Sequence, residues 1–173
     1  GSCPKVLHQA SVDGLKIGKI LLTHSHWDHI VDVQALKQKT GAQLFVHHDD
    51  AENVRNPGSD GLPFSIEIQG AIPDQFLQEG TSVYVGSLRI EVIHTPGHSF
   101  GSVCFYLPQE GILFSGDTLF CRAIGRMDLP TGDPSAMKIS LKKLSQLPPD
   151  TRVIPGHGPD TKIGDVKQLY MNF

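Results

Sequence analysis

Residues 24–29 read His-Ser-His-Trp-Asp-His, four metal-ligand side chains in six positions, directly after the apolar run Ile20-Leu21-Leu22. At the end of a strand, residues i and i+2 project to the same side, so His24 and His26 can face one point. The chain must then turn, and a helix begun at that turn carries Asp28 and His29 round beside them at a different azimuth, which suits a second ion better than the first. Three further ligand types follow apolar runs in the same way. His98 comes after the run at 90–93 through Thr95-Pro96-Gly97, Asp117 after the run ending in Ser115-Gly116, and His157 after Val153-Ile154 through Pro155-Gly156. Four strand ends that deliver ligands to one edge predict a metal centre on a sheet scaffold. Imidazole and carboxylate without thiolate suit zinc, iron(II) or manganese(II), and a site lacking cysteine is more often catalytic than structural.

The other histidines, His8, His47, His48 and His94, add no coordination position that these residues leave vacant and read as hydrogen-bonding side chains. Cys121 reads as an inert thiol, and Arg126 as paired structurally with Asp128 or another loop carboxylate, with substrate-anion binding as the alternative. Three widely spaced cysteines are the usage of a reducing compartment, so a cytoplasmic location is expected. With 15 Lys and Arg against 18 Asp and Glu, the net charge is −3 and no basic run exceeds Lys142-Lys143, which argues against nucleic-acid and anionic-membrane partners. No apolar run approaches the ~18 residues of a membrane span. At 173 residues the chain has the length of one domain, expected over 1–173.

Patterning places a short helix at 4–10, strands at 19–23 and 44–46, and between them a helix over 30–40 closed by Gly41 just past its end. Residues 49–80 carry scattered Gly and Pro without periodicity and read as a long loop or lid over a site. Two hairpins follow, 83–85 with 88–93 across Gly86-Ser87, and 103–107 with 112–114. Asp133-Pro134 is a good helix start for 134–145, and 152–154 is the last strand. This order implies a mixed sheet or sandwich with helices outside.

Five motifs in order, Thr-His-Ser-His-Trp-Asp-His at 23–29, His-Thr-Pro-Gly-His at 94–98, Ser-Gly-Asp-Thr-Leu-Phe at 115–120, Gly-Arg-Met-Asp at 125–128 and Pro-Gly-His-Gly-Pro at 155–159, give the chain its family resemblance. It resembles the metallo-β-lactamase superfamily, and within it the glyoxalase II-like (hydroxyacylglutathione hydrolase-like) hydrolases. The resemblance implies an α/β fold, a four-layer αββα sandwich with a binuclear site at one edge. It implies that His24, His26 and His98 hold one ion, that Asp28, His29 and His157 hold the other, and that Asp117 bridges them. Two divalent ions are expected, zinc first, with iron or manganese as the alternatives.

The function so implied is hydrolysis of a thioester or related small acyl substrate by a metal-bridging hydroxide, with Asp117 and Asp28 as the catalytic carboxylates and Asp28 assisting proton transfer. The alternative within the superfamily is a mononuclear iron persulfide dioxygenase, which shares the Gly-Arg-x-Asp element. Nuclease members would need a basic groove that this charge balance does not supply. Glyoxalase II proper also has a C-terminal helical domain that supplies much of its glutathione contact, whereas 16 residues follow His157 here, so glutathione is not the expected specificity. The family's N-terminal strands precede the first metal motif and have no counterpart here. The expectation is therefore either a fragment or a sandwich short of its N-terminal edge strands, which self-associates through that uncovered edge or stays a marginally stable monomer.

Overall fold

The computed structural model describes residues 2–171. Helix α1 (Cys3–Val12) leads to strand β1 (Lys19–Leu21), helices α2 (Trp27–Ile30) and α3 (Val33–Thr40), and strand β2 (Gln43–His47). A 3-10 turn (His48–Asp50), helix α4 (Ala51–Arg55) and strand β3 (Gln75–Leu77) follow. Next come β4 (Ser82–Val85), β5 (Leu88–His94), β6 (Val103–Leu107) and β7 (Ile112–Gly116). Helix α5 (Pro134–Leu144), β8 (Arg152–Pro155), β9 (Thr161–Lys162) and α6 (Lys167–Met171) complete the order.

The strands form two sheets, a parallel one ordered β1-β2-β3 and a mixed one ordered β4-β5-β6-β7-β8-β9. Side-chain alternation builds the layers. On β1 and β2, Ile20, Leu44 and Val46 turn outward into a core with Val33 of α3 and Val54 of α4. Their neighbours Leu21 and Phe45 turn inward and meet Val92, Val103 and Phe105 between the sheets. On the far side, Cys104, Leu113 and Val153 pack against Met137, Leu141 and Leu144 of α5. The result is the expected four layers, helix, sheet, sheet, helix. All five residues of β6 are buried, because it lies inside the larger sheet with both faces covered. Among the described residues no helix is long and apolar enough to cross a membrane.

Topology brings the ligand-bearing strand ends together. β5 pairs antiparallel with β6, β6 antiparallel with β7, and β7 parallel with β8, so β5, β7 and β8 run in one direction and end on one edge. The exit of β1 joins that edge through the bond from Val103 N–H to the Thr23 carbonyl, 2.8 Å.

Three sequence expectations need correction. The helix expected at 30–40 is two helices with a break at Val31-Asp32, although it does end at Gly41 in the left-handed conformation, φ 69°. The Asp32 carboxylate there accepts the backbone N–H groups of Ser2 and Cys3, so tertiary demand overrides the helical period. The stretch 49–80 contains the 3-10 turn, α4 and β3. Its elements are three to five residues long, too short for periodicity to show. Strand β9 and helix α6 were not legible for the same reason.

The helix start at Asp133 is as expected, its Oδ1 accepting the N–H groups of Ser135 (2.8 Å) and Ala136 (3.0 Å). Asp133→Ala should cost about 1 kcal/mol in urea unfolding, the usual loss of an N-cap. An unchanged midpoint would show that α5 is held by its buried face alone.

Candidate metal centre

The seven ligand-type residues converge at the shared edge. His24 and His26 sit on the loop leaving β1, and Asp28 and His29 on α2. His98 follows β5 across Gly97, Asp117 directly follows β7, and His157 follows β8 across Gly156. His24, His26 and His98 form a buried trio whose ligand atoms lie within 4.8 Å of one another. His26 Nδ1 and His98 Nε2 are 2.9 Å apart, and the His24 ring stands 4.7 Å from the His26 ring and 4.9 Å from the His98 ring. Asp28, His29 and His157 form a second set around the Asp28 carboxylate, with His157 Nε2 at 3.0 Å and His29 Nε2 at 3.6 Å from Oδ2.

Asp117 lies between the two sets. Its Oδ1 is 3.5 Å from His29, and its Oδ2 is 3.7 Å from His98 and 3.6 Å from His157. The two sets differ in access, since the His157 side chain is 58% exposed and Asp28 33%, against 7% for His98.

The electrostatics favour neutral imidazole beside anionic carboxylate. Burial, then the nearby His29, His26 and His98, holds the His24 pKa well below the ordinary imidazole value. Burial, then His98, pushes His26 down to about 4 against the opposing pull of Asp60 and Asp28. For Asp117, burial acts upward, but the polar rings of His29, His157 and His98 beside it outweigh burial and leave the carboxyl below the usual range. Neutral rings keep a lone pair free for coordination.

Two rings are oriented from behind. His98 Nδ1–H donates to the Arg126 carbonyl at 2.9 Å, which turns its Nε2 into the cluster, and His24 Nδ1 contacts Thr23 Oγ1 at 3.2 Å. Yet His24 Nε2, His26 Nε2, His29 Nε2 and Asp117 Oδ1 are buried without a hydrogen-bond partner. Buried polar atoms are nearly always paired, and unpaired imidazole nitrogens and a carboxylate oxygen on neighbouring ligand-type residues are what bound cations would satisfy. The donor set therefore fits divalent metal.

A cavity of about 400 Å³ opens onto the site, lined by His26, Asp28, His98 and Asp117 together with Trp27, Leu62, Pro63, Arg126 and Leu129. Leu62 and Pro63 come from the irregular stretch expected to cover a site. Trp27, Leu129 and the Arg126 carbonyl were not singled out from sequence, because a wall or an acceptor carries no local signature. The Arg126 side chain is exposed and makes the expected pair with Asp128, two bonds of 2.9 Å.

Cys121 is half-buried, and all three cysteines are free thiols. His47, Asp49 and His94 also approach one another, but the two imidazoles are stacked at 4.1 Å and 11°. Their in-plane lone pairs run side by side, and His94 Nε2–H is committed to the Phe100 carbonyl at 2.9 Å. That group is a hydrogen-bonded stack, as expected for residues adding no coordination position.

The model of the metallo-beta-lactamase superfamily matches residues 2–157. The chain belongs to this superfamily. As a member it shares a scaffold that typically carries metal-dependent hydrolysis. It is 31% identical to the hydroxyacylglutathione hydrolase GloC of Haemophilus influenzae, over 97% of this chain and 81% of that protein. The crystal structure of the B3 metallo-beta-lactamase BLEG-1 superposes with a TM-score of 0.87 at 36% identity, covering 97% of this chain and 82% of that one. TTHA1623, solved in a di-iron-bound form, gives 0.82 at 39% identity, over 94% of this chain and 80% of that one. ETHE1 from Myxococcus xanthus gives 0.79 at 28%, over 96% of this chain and 67% of that one.

Proposed function

We propose that this superfamily member is a binuclear hydrolase of thioesters or related small acyl compounds. The observation that carries the reading is the pair of ligand-type sets with Asp117 close to both, and four buried polar atoms of these residues left unpaired. Bound divalent ions would polarise an acyl carbonyl and acidify water to near-neutral pKa. His24, His26 and His98 hold the deeper ion, and Asp28, His29 and His157 hold the outer one. Asp28, at the cavity mouth, accepts a proton at its carboxylate and returns it to the leaving group. Trp27, Leu62 and Pro63 shield the reacting bond from bulk water.

Similarity to GloC supports a thioester, whose thiolate leaves readily, and the di-iron form of TTHA1623 supports two metals. The donor set suits zinc as well as iron. Three free thiols suit the cytoplasm.

The test is one metal-replete preparation, analysed for bound metal and assayed with a thioester panel and with a persulfide under oxygen recording. Thiol release without oxygen uptake, at two ions per chain, is the expected result. Persulfide-dependent oxygen uptake at one iron per chain would replace it with the persulfide dioxygenase alternative.

A further inference from the structure

A carboxylate outside the seven ligands lies beneath the deeper trio. Asp50, the last residue of the 3-10 turn after β2, is buried, 4% exposed. Its Oδ2 accepts the Ser25 N–H at 2.7 Å and the Ser99 hydroxyl at 2.9 Å, and its Oδ1 accepts the Gly101 N–H at 2.7 Å. Ser25 is the residue between His24 and His26, and Ser99 follows His98. One carboxylate thus grips both chain segments that supply the trio, segments more than 70 residues apart in sequence.

Asn53 of α4 completes the grip, its Nδ2 donating to the Ser25 carbonyl at 2.7 Å. Both peptide groups flanking Ser25 are then fixed, which sets where His24 and His26 point. The approach is close enough that a Cβ on residue 101 would lie 2.6 Å from Asp50 Oδ1, so glycine is needed there. No Lys, Arg or His lies within ion-pair distance of Asp50 among the described residues. Its bonds are to neutral donors, an arrangement that loses a hydrogen bond if either oxygen becomes a donor.

Among the described residues no comparable carboxylate joins the segments of the outer set. Asp28 and His29 share the short helix α2, and His157 stands largely exposed after β8. We infer that Asp50 is a positioning residue that clamps the His24–His26 loop to the His98 turn and thereby sets the affinity of the deeper ion site without touching the ion. The inference rests on the reading above that this trio holds an ion.

The test uses the full chain and Zn²⁺ affinity measured by competition with a chromogenic chelator. Asp50→Asn keeps the shape but turns one acceptor into a donor facing an N–H or a hydroxyl. It is examined in two backgrounds: His157→Ala, which leaves the trio as the complete set, and His98→Ala, which leaves the outer one. Affinity should fall roughly 10- to 100-fold in the first, the usual size for a residue that orients ligands, and by less than about threefold in the second. A merely structural role would weaken both alike, and that result, or no loss in the first background, would overturn the inference.

If Asp50→Asn does not fold, Ser99→Ala removes a single hydroxyl bond and should still weaken the trio alone. Equal affinities there would overturn the inference too. A parent chain that takes up no Zn²⁺ overturns the site reading itself, and with it this inference. Normal uptake with an indifferent Asp50→Asn overturns only the clamp.

Discussion

Asp117→Asn should lower kcat/KM for the acyl substrate roughly 10³-fold, the scale of removing a preorganised electrostatic group, and reduce bound metal from two ions to one or fewer. Asparagine has nearly the same shape, so the packing around β7 should survive. What disappears is the charge between the ligand sets, where Oδ1 faces His29 and Oδ2 faces both His98 and His157 at 3.5–3.7 Å. Two cations held a few ångströms apart repel, and an anion between them offsets that repulsion. His48→Asn is the control, because the His48 side chain is 79% exposed and its contacts, with Asp49 and the edge of the Phe76 ring, involve none of the seven residues. The measurements are elemental analysis and steady-state kinetics on both variants. Retention of both ions with more than about a tenth of the activity would remove Asp117 from the bridging role.

Gly97→Ala should be strongly destabilising, costing about 4 kcal/mol from overpacking and backbone strain together. Gly97 has φ 141°, and an added Cβ would lie 2.6 Å from the backbone of Met137 on α5. Its carbonyl also accepts the Asp133 N–H at 2.9 Å, so the joint between β5, α5 and His98 runs through this residue. For a chain of this size the melting temperature should drop on the order of 10 °C. Gly80→Ala separates the causes: φ there is 75° but nothing lies within 4 Å, so only the conformational part remains, about 1 kcal/mol. Equal losses at the two positions would mean that α5 yields to the extra methyl.

The candidate ligands were legible because each is announced locally. His98, Asp117 and His157 end apolar runs at a Gly, and the 24–29 cluster is a turn between strand and helix, so neighbours within a few residues carry the signal. β3 was not legible: it spans three residues, and its partner β2 lies about 30 positions earlier, so its structure exists only through that pairing. Asp50 was hidden in the same way. In sequence it is the second residue of an Asp-Asp pair on a 3-10 turn, and its partners Ser25, Ser99 and Gly101 lie up to 51 residues away.

Local order in the chain therefore determined the ligand types, their place at strand ends and the alternation that makes two sheets stack, because burial and turn chemistry act over a few residues. Only the tertiary structure decided the rest: that His26 meets His98 across 72 residues, that one ligand set is buried while the other stays open, and that Asp117 reaches both. Those facts depend on distances closed by strand direction and core packing, and such distances have no counterpart in the order of residues.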